Sequence, residues 1–242
     1  MKRSEINAIV RDADAFIKQR GFHLPPFAYW PPELWTTQGD EIREIVENGL
    51  GWDITDFGQG DYRKRGLFLF TLRNGNLDNW KTRQGKPQAA RRASAWGKLY
   101  AEKIMVVDVD QLTPLHFHWQ KVEDIINRGG GQLVIRLYNS TEDEALADTD
   151  VRVSVDGVRR VVKAGDCIVL GPGESITLST RCYHEFWGAE SRVLVGEVSL
   201  VNDDNVDNRF YEPIARFPDI EEDEPPLYLL CNDYPKYYQR NP

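Results

Sequence analysis

The sequence predicts a mainly β fold, a sandwich or barrel of short strands preceded by a helical extension. Three observations predict it. Beyond about residue 50, short apolar or alternating runs recur between turn signals, the signature of such architectures. Asp156-Gly157 separates VRVSV from VRRVV, a strong signal for a tight hairpin. Before residue 50 the apolar period lengthens: Ile6, Ile9, Val10, Ala13, Phe16 and Ile17 form one stripe at three-to-four-residue intervals.

That stripe is a helix, with Ser4 placed to cap its start and Gly21 to end it. The following segment, PPFAYWPPELW (25–35), is rich in proline and aromatic residues and is expected to be irregular. A second helix is expected from Asp40 to Asn48, with Ile42, Ile45 and Val46 apolar and Gly49 as its stop. Strands are expected at 66–74, 103–111, 132–140, 151–157, 158–166, 174–179 and 192–201. In VRVSV, Val151, Val153 and Val155 share one face, opposite Arg152 and Ser154. Residues 71–94 are polar and locally basic, a loop with one helical turn. The tail is acidic and then aromatic, and Leu227, Tyr228, Leu229 and Leu230 argue that it packs. No repeat or linker is visible. The simplest division is a helical extension over 1–50 and a β-barrel with an acidic C-terminal segment over 51–242.

Composition narrows the function. Of 242 residues, 41% are hydrophobic and 28% charged, as in ordinary globular proteins. A net charge of −8 disfavours nucleic acid and anionic membrane surfaces, both of which require a basic face. No apolar run approaches the roughly 20 residues that cross a bilayer. The start, MKRSEINAIVRDADAF, is too charged for a signal peptide. Cys167, Cys182 and Cys231 are odd in number and widely spaced, which fits a reducing cytoplasm.

Residues 115–131, LHFHWQKVEDIINRGGG, carry the chemistry. His116 and His118 are two apart and share a strand face. Glu123 follows after a gap that accommodates a turn, which would bring its carboxylate beside both imidazoles. Two imidazoles and a carboxylate make a divalent transition-metal site, although such a trio also occurs as ordinary hydrogen-bonded side chains. His184, in TRCYHEFWG, is the candidate fourth ligand; the alternative is a histidine packed among Tyr183, Phe186 and Trp187. His23, in the helical extension, is not assigned to the metal. Cys182 is either a thiolate ligand or, by the general habit of free cysteines, a packed thiol. Lys121 lies between two ligands and is a candidate acid–base or substrate-binding group, or else a turn lysine facing water. Glu197 and Asn202 to Asp204 are further candidates for lining a cavity. Trp119, Phe186 and Trp187 offer flat apolar faces for a ligand or for the core.

From about residue 100 onward the chain resembles the cupins, and within them the D-lyxose isomerase family of sugar ketol-isomerases. The resemblance rests on HFHWQKVEDIINRGGG, with His116, His118, Glu123 and Gly129, on GDCIVLGPGESITLSTRCYHEFWG with His184, and on GEVSLVNDDNVDNRF followed by RFPDIEEDEPP. It departs from the cupin pattern in placing Pro172-Gly173 eleven residues before His184. Either an extra strand intervenes, or Thr180-Arg181 replaces that turn; the second is preferred. The resemblance implies a cupin (jelly-roll) barrel and a site of three histidines and one glutamate. It implies Mn²⁺, with other divalent transition metals as alternatives. It also implies isomerisation of D-lyxose to D-xylulose, and of D-mannose to D-fructose, through a metal-stabilised enediolate. Lys121 and a carboxylate of the acidic tail would then be catalytic, with Glu221 first, Glu222 second, and Asp223 sharing a face with Glu221 as a substrate contact. A cytoplasmic homodimer is expected, with PPFAYWPPELW as an interface by analogy. The competing readings are a cupin dioxygenase using Fe(II) or Ni(II) on the same four ligands, and a non-catalytic sugar-binding cupin.

Overall fold

The computed structural model describes residues 1–76 and 98–238. The loop expected at 71–94 therefore lies mostly outside the described residues; its first residues belong to a strand. Helix α1 (Arg3–Gln19) opens the chain, followed by a 3₁₀ turn (Pro26–Tyr29), α2 (Pro32–Trp35), a second 3₁₀ turn (Asp40–Ile42) and α3 (Arg43–Glu47). The strands are β1 (Gly51–Thr55), β2 (Leu67–Arg73), β3 (Tyr100–Val107), β4 (Thr113–Phe117), β5 (Glu123–Ser140), β6 (Leu146–Ala147), β7 (Val151–Val155), β8 (Val158–Val162), β9 (Cys167–Leu170), β10 (Ser175–Leu178), β11 (Cys182–Leu200) and β12 (Arg209–Phe210). The fold is mainly antiparallel β and cupin-like, as expected. The main path of the sheet runs β1-β2-β3-β11-β5-β10-β7-β8, with β4 on β11, β12 on β4, and β6 and β9 on β5.

Two long strands organise it. β5 and β11 pair along most of their lengths, with irregular register between Ala189 and Val195. The glycine run sits at this bend. Gly130 has φ +115°, and a Cβ there would meet the Arg192 carbonyl oxygen at 2.1 Å. A Cβ on Gly131 would meet the Ser191 carbonyl oxygen at 2.2 Å. Only glycine allows the two backbones to approach this closely, so the strand passes through the run instead of stopping at it. Asp156 and Gly157 both take positive φ, +49° and +80°, as a type I′ hairpin requires.

Alternation along the strands gives the sheet two apolar faces. Leu67, Leu69, Met105 and Val107 point into the barrel, where they meet Ile125, Ile135, Ile176, Phe186 and Val195. Phe68, Phe70, Ile104 and Val106 point outward and are covered by Ile6, Val10, Ala13 and Ile17 of α1. Each such buried aliphatic side chain contributes about 1.5–3 kcal/mol.

The C-terminal tail completes this outer layer. Leu230 joins it, and Tyr234 stacks on Trp35 with ring centroids 4.4 Å apart. Trp30 packs edge-on against Trp35. Of the segment offered as a dimer interface, Ala28 and Trp35 are buried within the chain, while Pro26, Pro31 and Glu33 stay exposed. Buried Arg3 binds Glu222 and Asp233 with both arms of its guanidinium, tying the tail to the start of α1. Ser4 does not cap the helix. The N-cap is Lys2, without a side-chain cap, and Asp223 reaches in from the tail to accept from the Ser4 N–H and Oγ at 2.9 and 2.7 Å. The expected second helix is present over nearly the whole span, but as a 3₁₀ turn followed by one α turn, with Gly49 at φ +60° just past its end. No helix among the described residues is long and apolar enough to cross a membrane.

Candidate functional site

The barrel interior opens into a cavity of about 450 Å³, counting its mouth. One end is built by β4, β5 and β11. His116 on β4 and His184 on β11 are direct cross-strand partners, and their rings lie 4.2 Å apart. His118 follows β4 immediately, on the same side as His116. Glu123 opens β5, and its Oε1 stands 3.0 Å from His184 Nε2 and 3.4 Å from His118 Nε2. Each of the three imidazoles offers a nitrogen within 4.8 Å of the others, and all three rings are buried. The turn expected between His118 and Glu123 thus delivers the carboxylate to the imidazoles, and His184 joins them from a distant strand.

Backbone carbonyls fix how these rings face. Nδ1 of His116, His118 and His184 lies 2.8, 2.5 and 3.0 Å from the carbonyl oxygens of Pro114, Asp207 and Cys182. A carbonyl only accepts, so each Nδ1 carries the proton and each Nε2 keeps its lone pair. His118 Nε2, His184 Nε2 and Glu123 Oε1 are buried and find no hydrogen-bond partner. Three acceptors converging in the dry interior repel one another unless a cation sits among them. The donor set suits a divalent transition metal, with neutral imidazoles and one carboxylate. Burial first, and then the neighbouring imidazoles of His184 and His118, hold His116 well below the ordinary histidine range, so it stays neutral and able to ligate. Cys182 lies outside the group of converging ligand atoms and packs in the interior core, where burial pushes its thiol up to about 12. His23 is exposed and remote from the cluster.

From the imidazoles a row of alternating charges runs along the cavity wall. Lys121 Nζ lies 2.7 Å from Glu123 Oε2 and 2.9 Å from Glu197 Oε1. Lys103 bridges Glu197 and Asp204 at 3.5 and 3.8 Å. Arg216 joins Asp204 to Asp53 at 2.6 Å each. Burial works against the charge of Lys121, but Glu123, Glu197 and Asp204 outweigh it and hold the ammonium above its ordinary value. Burial likewise opposes the Glu197 carboxylate, and Lys103 and Lys121 overcome it, holding the group below the usual range.

Lys121 is placed by Asp207, a buried residue the sequence did not single out. Its carboxylate accepts from the backbone N–H of Trp119 and Gln120 at 2.9 and 3.0 Å, and from that of Lys121 at 3.0 Å. Its carbonyl also accepts a hydrogen bond from His118 Nδ1. One residue thereby fixes the β4–β5 loop, a ring and a cation. Nothing local in the sequence marks it, because its partners lie 86 to 89 positions away.

The acidic tail does not reach this cavity. Glu221 is paired through its backbone to Met1 and Arg3, Glu222 is bound by Arg3 and Lys236, and Asp223 is bound by Ser4. All three meet the start of α1, in the layer outside the sheet. None of them lines the cavity: Glu222 is bound by two cations, Asp223 accepts from Ser4, and Glu221 is held at α1 by its backbone. The carboxylates in the cavity are instead Glu123, Glu197 and Asp204. Glu197 and Asp204 were among the expected lining residues, while Asn202 and Asp203 line a neighbouring polar hollow. Phe186 forms part of the wall with Phe57 and Phe210. Trp119 instead donates to Glu144, and Trp187 meets Arg136. Between Pro172-Gly173 and His184 both expected alternatives occur, β10 as the intervening strand and Thr180-Arg181 as the turn.

A model of the D-lyxose isomerase family matches residues 1–234. The chain is 48% identical to a D-lyxose/D-mannose isomerase of Serratia proteamaculans, covering 98% of this chain and 99% of that one. It is 46% identical to a D-lyxose/D-mannose isomerase of Escherichia coli O157:H7, over 98% and 100%. Among solved structures, an L-ribose isomerase of Cellulomonas parahominis superposes with a TM-score of 0.57 at 14% identity. That superposition covers 91% of this chain and 98% of the other, and it shows the shared fold.

Proposed function

The chain belongs to the D-lyxose isomerase family, and on that premise we propose how its cavity carries out an aldose–ketose isomerisation. The substrates are D-lyxose, giving D-xylulose, and D-mannose, giving D-fructose. His116, His118, Glu123 and His184 are the ligands of a divalent transition metal, with Mn²⁺ the first choice. The observation that carries this reading is the set of buried, partnerless acceptors on His118, His184 and Glu123.

A metal held there supplies positive charge for the oxygens at C1 and C2, where negative charge grows as the C2 proton leaves. The protein's own groups move the protons. Glu197 is the carboxylate inside the cavity outside the ligand set and next to Lys121. It takes the proton from C2 and returns one to C1, replacing Glu221 in that role; such a group is worth roughly 10²–10⁴ in rate. Lys121 donates two of its three N–H bonds to Glu123 and Glu197, and the third is available to a sugar oxygen. It steadies the oxygen that gains charge while a hydroxyl proton passes between O2 and O1. The net change is one proton moved from C2 to C1 and one from O2 to O1, so no oxidant is consumed.

We further place the protein in the cytoplasm as a homodimer. Free Cys167, Cys182 and Cys231 accord with a reducing compartment. Tyr100, Val198 and Leu200 leave apolar surface uncovered on the outer face of β3 and β11, which accords with a second copy. The activity is tested without oxygen. Mn²⁺-reconstituted protein should form D-xylulose from D-lyxose and lose that turnover in EDTA. Turnover that requires O₂, or that survives complete metal removal, overturns the reading.

A further inference from the structure

The ligand cluster accounts for three of the buried side-chain atoms without partners. Two more belong to the same cavity. Arg216 Nη1 and Thr113 Oγ1 are buried, find no hydrogen-bond partner, and sit on residues that line its wall. Neither belongs to the metal cluster.

Arg216 is held for a purpose its ion pairs do not exhaust. Nη2 alone makes both bonds, 2.6 Å to Asp53 and 2.6 Å to Asp204, and the side chain is only 10% exposed. The guanidinium also lies over the Phe217 ring, 4.7 Å from its centroid. One arm is therefore fixed, and the other presents two N–H bonds to nothing. Leaving a charged donor unsatisfied in a dry site is costly, and it is tolerated where a ligand oxygen completes it. Arg216 also stands at the opposite end of the charge row from Glu123, with Lys121, Glu197, Lys103 and Asp204 between them. The imidazoles and Arg216 line one cavity, so a sugar with C1 and C2 at the imidazoles can extend its other end toward Arg216.

We propose that Arg216 is a specificity-determining residue whose Nη1 donates to the terminal hydroxyl of the sugar, the end remote from the isomerised carbons. This deepens the isomerase reading and rests on it. Asp53 and Asp204 hold the guanidinium, and Phe217 supports its plane. A site built to bond a hydroxyl rejects the analogue that lacks it, because its own donor is then stranded.

The test compares D-mannose with 6-deoxy-D-mannose, which loses only the terminal oxygen and still closes the same six-membered ring. Wild-type protein should favour D-mannose in kcat/KM by about 10- to 100-fold, the worth of one hydrogen bond to a charged donor. In Arg216→Lys, which keeps a cation for Asp204 but gives up the second arm, the ratio should fall toward one. KM for D-mannose should rise while bound Mn²⁺ stays constant. Arg216→Gln serves as the second variant should the lysine form fold poorly. Equal use of both sugars by the wild type, or a ratio preserved in the variants, overturns the proposal and leaves the isomerase reading intact. Failure of the wild type to isomerise either D-mannose or D-lyxose overturns both.

Discussion

Two groups of carboxylates in this chain have opposite fates. Glu221, Glu222, Asp223 and Glu224 are contiguous and stand out in the sequence, yet they staple the tail to α1 through Arg3, Ser4 and Asn7. Glu123, Glu197 and Asp204 are scattered over eighty residues, yet they converge on one cavity with Lys103, Lys121 and Arg216. Contiguous acids repel one another and settle near the surface, where Glu222 finds Arg3 and Lys236 while Asp223 and Glu224 accept from Ser4 and Asn7. Scattered acids can be interleaved with cations by strand register, and only such a row survives burial. Density of charge in a sequence is thus a poor guide to a site.

The sharpest way to break this contrast is to neutralise one member of each group. Glu197→Gln should lower kcat by about 10²–10⁴ while the metal stays bound. Glu221→Gln should leave kcat near that of the wild type. Steady-state rates on D-lyxose, with metal content measured alongside, decide it; the reverse result would return the tail to the site.

A smaller effect is expected one layer out. Asp207→Asn puts an amide where the Lys121 N–H needs an acceptor, disturbing both the loop and the carbonyl that orients His118. Loss of such a supporting contact costs roughly 10–100-fold in metal affinity. Competition with a chelator measures it, and unchanged affinity would make Asp207 merely a loop brace.

The smallest effect belongs to the tail. The hydrogen bond from Arg3 holds the Glu222 carboxyl down to about 2, against slight burial, with Lys236 assisting. Because the folded value is depressed, the stability it contributes is present above the ordinary carboxyl range and is lost as pH falls toward 2. Glu222 is 43% exposed, so solvent screening limits that contribution to about 1 kcal/mol or less. Glu222→Gln should lower the melting temperature slightly at pH 7, and the difference from wild type should vanish as pH drops from about 4.5 toward 2.

Legibility in the sequence followed the range of the interaction. His116, His118 and Glu123 could be read because strand alternation and one turn bring them together. His184 could be read because a histidine three residues beyond a tight turn re-enters the sheet. Lys103, Asp207 and Arg216 could not, since their placement depends on pairings over tens of residues. The long β5 was read as a shorter run because GGG looks like a stop, whereas it is the point where two backbones nearly touch. β1 was missed: Trp52 and Ile54 face α1 and the tail, but five residues interrupted by Asp53 give too short an alternation to stand out.

The central claim is that three imidazoles and Glu123 enclose one cation. Crystals soaked in Mn²⁺ and measured at wavelengths on either side of the manganese absorption edge test it most directly. An anomalous peak bounded by Nε2 of His116, His118 and His184 and by a carboxylate oxygen of Glu123 is the predicted result. A peak elsewhere, or no peak in protein that turns over D-lyxose, would contradict the account.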